Sequence, residues 1–161
     1  MPHIELLQQS ALFSELDGEE IRALREIVSY RELERGQILF FEGDPAAGFF
    51  VLLSGSMRIY KSSAEGREFT LHRIAPGQMF AEAAIFKGRA YPANCIALEA
   101  SVVAFFPKTD FVNLVKQTPT IALKIIGGLS AWLREFTIKI ENLSLKDVPA
   151  RLATFLLSQV Q

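Results

Sequence analysis

The sequence predicts a mainly β chain framed by helices, and three observations lead there. Between about Tyr30 and Pro107 the apolar residues fall in short runs with period two. Turn residues separate those runs at even intervals. After Pro119 the apolar spacing becomes that of a long helix with a seam. Many short, evenly spaced strands imply a sandwich or barrel. The 161 residues suit one domain with an appendage.

The elements follow in order. Leu6, Leu7 and Leu16 surround a break near Ser10 to Ser14 in a helical start. Asp17 is placed to cap the next helix, with Glu20 three residues on and Leu16 and Ile21 as a flanking staple. Ile21, Leu24, Ile27 and Val28 then repeat at helical spacing, so one face of that helix covers something.

The β-type runs are Ile38–Phe41, Phe49–Leu53, Met57–Tyr60, Phe69–His72, Ile96–Leu98 and Val102–Phe106. Arg35-Gly36, Gly43-Asp44-Pro45, Ser54-Gly55, Glu65-Gly66 and Pro76-Gly77 mark the turns between them. Within this region Ala81 to Phe86 predicts one or two helical turns, ended by Gly88.

Helical spacing returns after Pro107. Asp110 to Gln117 predicts a short helix, and Thr118-Pro119 starts a longer one. Ala122, Ile126, Leu129, Leu133, Phe136, Ile140 and Leu143 are spaced 4-3-4-3-4-3, the seam of a coiled coil. Gly127-Gly128 weakens the helix locally. Ile121, Ile125 and Trp132 form a second apolar stripe, so the helix can lie on its own β-domain and pair with a second copy. Asp147 and Pro149 read as a fresh cap, with another helix from Arg151 to Val160.

Composition narrows the function. A net charge of −1 does not describe a polybasic nucleic-acid binder. Cys95, the single cysteine, forbids an intrachain disulfide and any all-cysteine cluster or zinc site. No apolar run approaches the roughly 18 residues needed to span a bilayer. Met-Pro-His-Ile-Glu lacks the basic start and apolar stretch of a secretory signal, so the cytoplasm is the expected compartment. Without a nucleophile–base pair or metal cluster of recognisable spacing, no enzyme activity is expected.

Several spaced segments together resemble the Crp/Fnr superfamily of bacterial transcription regulators. Gly36-Gln37-Ile38-Leu39-Phe40, Glu42-Gly43-Asp44-Pro45 and Phe49 to Tyr60 resemble the cyclic-nucleotide-binding β-roll signature, and Ile74-Ala75-Pro76-Gly77-Gln78-Met79-Phe80 follows at the expected distance. The resemblance implies a double-stranded β-helix (jelly-roll or β-roll) and covers essentially the whole chain. It divides the chain into a sensor domain with N-terminal helices at 1–107, a short helix and a coiled-coil dimerisation helix at 108–145, and the start of a DNA-binding domain at 146–161. The helix-turn-helix would follow residue 161, so DNA binding is expected of the full-length protein only. A homodimer through helix 119–143 and a small-molecule or gas effector are the implied partners.

In nucleotide-binding members of that superfamily a Gly-Glu-Leu helix start and an Arg-Ser/Thr pair hold the cyclic phosphate. Backbone amides and a guanidinium are what that anion requires. Here Glu82 is kept, but Ala81 replaces the glycine and Tyr91-Pro92 replaces the arginine pair. Arg89 lies two residues early. Hydrogen bonds to charged groups are worth roughly 1.5–3 kcal/mol each, so cyclic AMP is not the expected ligand.

Phe80-Ala81-Glu82-Ala83 with Tyr91-Pro92-Ala93, and Ile138 to Lys146 at the helix end, are similar instead to the nitric-oxide-responsive branch of DNR- and HcpR-type regulators. That resemblance implies haem in an apolar pocket between β-roll and long helix, with Phe80, Ala81, Glu82, Ala83, Tyr91 and Pro92 as pocket residues. The available axial donors are His3, His72, Met57, Met79, Cys95 and the Pro2 amine after loss of Met1. His72, on a strand leading toward the pocket, is the candidate metal ligand; Cys95, in an apolar run, reads as a buried core residue. The cysteine and histidine of the carbon-monoxide-sensing branch correspond to Ala81 and Ala83, and the cysteine cluster of iron–sulfur sensors has no counterpart. A different small anionic effector, a degenerate cyclic nucleotide, and a purely structural β-roll remain open alternatives.

Overall fold

The two-residue period becomes two layers of sheet in the computed structural model, which describes residues 2–10, 12–82, 89–130, 134 and 137–138. Helices α1 (Pro2–Gln9) and α2 (Gly18–Ile27) precede strands β1 (Ser29–Leu33), β2 (Ile38–Phe40), β3 (Gly48–Ser54) and β4 (Met57–Ser62). Strands β5 (Glu68–Ile74), β6 (Met79–Phe80), β7 (Asn94–Ala97) and β8 (Ser101–Pro107) complete the sheets, and α3 (Lys108–Gln117) follows directly. Residues 119–130 form a further helix, α4. The strands pair antiparallel in two four-stranded sheets, β1-β8-β3-β6 and β2-β7-β4-β5. This is the jelly-roll of the expected class.

The run Phe49–Leu53 has no polar residue because both faces of its sheet are covered. Phe49, Val51 and Leu53 join Ala104 and Phe106 of β8 in a cluster with α1, α2, α3 and α4. Phe50 and Leu52 point the other way, into the roll, with Val103, Met57, Phe80, Tyr91 and Cys95. Strand pairing therefore joins two cores. At the turn into β4, Gly55 takes a φ of +96°, and a Cβ there would lie 2.2 Å from Ser101 Oγ. Only glycine suits that turn.

Helix α2 begins as its sequence requires. The Asp17 carboxylate accepts from the Glu20 amide at 2.9 Å, and Glu20 Oε1 accepts from the Asp17 amide at 3.1 Å. Such a cap is worth about 1 kcal/mol. In α4, Ile121 and Ile125 are buried in the cluster shared with α1 and α2. The second apolar stripe thus lies on the chain's own domain; Trp132 is outside the described residues.

Sequence periodicity missed β1 and β6. β1 shows one buried residue in five and exists through its pairing with β8. β6 has two residues, held by Phe50 and Val51. The expected run Ile96–Leu98 shifts to Asn94–Ala97, and Leu98 donates its amide to Ser56 O at 2.8 Å as part of a loop. The short helix starts at Lys108 rather than Asp110. Of the helical turn expected at Ala81 to Phe86, residues 83–88 lie outside the described residues, as does the whole of 139–161.

Candidate functional site

The inside of the roll is filled by aromatic rings. Phe40 stacks on Tyr91 at 4.0 Å between centroids and 18° between planes, and faces Phe50 at 5.8 Å. Phe50 also packs on Phe80 at 5.3 Å and on Phe105 at 5.0 Å. The Arg31 guanidinium covers this ladder from outside, 4.9 Å from the Phe105 centroid. Ring pairs in such offset stacks contribute about 0.5–1.5 kcal/mol each beyond their burial.

Tyr91 supplies the polar end of the ladder, its Oη donating to Gly48 O at 3.1 Å. Burial pushes its phenol above the ordinary tyrosine value. Beneath it Cys95 is fully buried, and desolvation raises its thiol to about 12. That thiol stays neutral and inert at physiological pH.

Outside the roll, space is left open. A cavity of about 490 Å³ lies between the sheet, the N-terminal segment, α3 and α4. Leu12, Phe49, Met79, Phe111 and Val115 form its roll-side walls, while Ala122, Ile125, Ile126 and Leu129 of α4 close it. The polar groups at its edge are His72, Gln78 and Glu82. No lysine or arginine lines it among the described residues.

Local backbone puts the polar groups there. β5 is an edge strand, and its register against β4 passes from Ile59↔His72 to Tyr60↔Thr70, which leaves Leu71 as the extra residue of a bulge. Bulges re-aim neighbouring side chains. Ala81 adopts a φ of +64° just before Glu82, a left-handed conformation that costs an alanine about 1–2 kcal/mol. A glycine at this position would be unstrained.

The six expected pocket residues do not stay together. Phe80 and Tyr91 belong to the inner aromatic ladder, and Ala81 packs against that core. Glu82 lines the outer cavity, Pro92 is exposed, and Ala83 lies outside the described residues. Of the axial donors, His72 and Met79 line the cavity. Met57 and Cys95 are buried in the roll. His3 instead packs beside Tyr30, 4.9 Å between ring centroids, on another part of the surface from the cavity lining.

Of the seam residues, Ile126 and Leu129 are described and border the cavity, and Ile126 is 56% exposed. Leu133, Phe136, Ile140 and Leu143 lie outside the described residues. The unbroken apolar run Phe49–Leu53 matches its two buried faces. Phe111 and Val115 carried no sign of their role, because a cavity wall made by two helices has no linear pattern.

Comparison with known proteins agrees with this architecture. Residues 30–118 match the cyclic nucleotide-binding domain family. The crystal structure of DNR from Pseudomonas aeruginosa superposes with a TM-score of 0.80 at 30% identity, covering 97% of this chain and 69% of that one. The sensor domain of the same transcriptional regulator gives 0.68 at 29% identity, over 87% of this chain and 94% of the domain. The cyclic AMP receptor protein of Thermus thermophilus is 26% identical over 151 residues, 94% of this chain and 70% of the relative.

Proposed function

The chain belongs to the cyclic nucleotide-binding domain family, as a sensor domain of the Crp/Fnr regulator type, and on that premise we propose that it reads its effector in the outer cavity rather than inside the roll. The observation that carries this reading is the make-up of that cavity, whose walls come from the roll on one side and from α4 on the other. An occupant touching both biases their relative position by its differential affinity for the two arrangements. The aromatic ladder supports the same choice, since the interior is filled by Phe40, Phe50, Phe80 and Tyr91.

Haem is the cofactor we propose, with nitric oxide as the signal. The donors fit. His72 and Met79 line an apolar cavity, and imidazole and thioether both ligate haem iron. When bound, haem supplies an iron to which nitric oxide can attach. The chain's own part is to exclude water with Phe49, Phe111 and Leu129 and to offer His72 as a ligand. Glu82 is the charged side chain among the described residues that line the cavity.

The same proposal includes a homodimer through helix 119–143, with the domain limits 1–107, 108–145 and 146–161. DNA reading would belong to the longer regulator and take place in the cytoplasm. Among the described residues no helix is long and apolar enough to cross a membrane.

Haemin titration followed by absorption tests the reading. A Soret band saturating near one haem per chain, shifted by nitric oxide, is the expected result. No saturable haemin binding, with calorimetric saturation by a cyclic nucleotide instead, would place the effector inside the roll and overturn it.

A further inference from the structure

One buried carboxylate ties α2 to α4. Glu20 is 5% exposed, and both its oxygens are engaged. Oε1 accepts from the Asp17 amide at 3.1 Å and from the Lys124 ammonium. Oε2 accepts from Thr120 Oγ1 at 3.4 Å. Lys124 also lies 3.9 Å from Asp17 Oδ2. The hydrogen bond to Glu20 holds the Lys124 ammonium above the ordinary lysine value, and the Glu20 amide lowers Asp17.

This carboxylate cannot follow a moving α4. Shifting it would uncap α2, whose Ile21 and Leu24 are buried in the core. Thr120 and Lys124 are one helical turn apart, so the attachment grips a single turn of α4. Ile121 and Ile125 add core packing to that attachment. Beyond them Ile126, 56% exposed, and Leu129, partly buried, border the cavity of about 490 Å³. Side chains beside open space lack packing partners on that side and resist displacement least. One end of α4 is therefore clamped, and the next turn is held less firmly.

From this we infer that the Glu20–Lys124–Thr120 clamp is the fixed pivot about which α4 swings when the cavity is filled. The inference rests on the outer cavity being the effector site. It adds that the motion begins beyond residue 125. At 1.5 Å rise per residue, Leu129 lies about 7 Å beyond Lys124, so a swing of about 10° moves it by roughly 1 Å there and by more further along.

Hydrogen exchange on the full chain tests the pivot. The cavity is occupied in two ways, wholly by haemin and in part by the added ring of Val115→Phe, so the pivot does not depend on haemin binding. In the wild type, amides 123–125 should stay protected on filling, while those of 127–130 change by about threefold or more. Lys124→Met removes the cation and keeps most of the stem. Glu20→Gln keeps an acceptor for the Asp17 amide, so the α2 cap survives. In both variants amides 123–125 should exchange about tenfold faster and respond to filling as the later ones do.

Unchanged protection of 123–125 in both variants would overturn the pivot, since apolar packing of Ile121 and Ile125 would then suffice. So would filling that leaves 127–130 unaltered in the wild type. If haemin fails to bind while Val115→Phe produces the pattern, the haem reading fails and the pivot stands.

Discussion

Two spaces lie on opposite faces of the same sheet, and the chain treats them differently. Inside the roll, Phe50, Leu52 and Val103 meet Phe40, Phe80 and Tyr91 in a closed aromatic core. Outside it, Phe49 and Met79 border a cavity of about 490 Å³ that α3 and α4 leave unfilled. Neighbouring residues of one strand thus serve a tight core and an open site. The difference teaches that a fold can keep its architecture while the space available to a ligand lies elsewhere: here one face is spent on stability and the other is left for binding.

The largest test of this contrast removes a ring from the filled side. Phe50→Ala should cost about 3–5 kcal/mol, read as a fall in the urea midpoint. Val115→Ala, beside space already open, should cost about 1 kcal/mol or less. Equal costs would erase the distinction between core and cavity.

Next in size is a pH effect from the filled side. Cys95 has its thiol raised to about 12 by burial, so the unfolded chain releases that proton first, near the ordinary thiol value of 9.0. The stability tied to the neutral thiol is present in full below pH 9 and drains away as pH rises toward 12. The wild type should lose up to a few kcal/mol relative to Cys95→Val across that window, measured by denaturant titration at each pH. A constant gap between the two proteins would mean that the thiol is solvated.

The smallest effect lies between the two spaces. Ala81 carries a φ of +64°, so Ala81→Gly should raise stability by about 1 kcal/mol. Destabilisation instead would show that the left-handed turn is not the native one.

Much of this was legible in the residues, for physical reasons. Alternation and turn glycines announced the strands, Asp17 with Glu20 announced the α2 cap, and Ile121 with Ile125 announced the face that α4 lays on its domain. The site was less legible. Phe80 and Tyr91 were grouped with Glu82 by their place in a motif, yet a two-residue strand turns their rings inward while Glu82 borders the other space. Met79 and Phe80, adjacent in β6, illustrate it: alternation sends one to the cavity and the other to the core. The Glu20–Lys124 contact joins residues 104 apart, and no local pattern encodes such a pairing.

The central claim, that the ligand space lies outside the roll, is tested most directly by one titration. Haemin is added to the wild type, to Val115→Phe, which puts a ring into the cavity, and to Tyr91→Phe, which keeps the ladder and drops one hydrogen bond. A Soret band near one haem per chain in the wild type and in Tyr91→Phe, and none in Val115→Phe, is the predicted result. Undiminished haemin binding by Val115→Phe would contradict it.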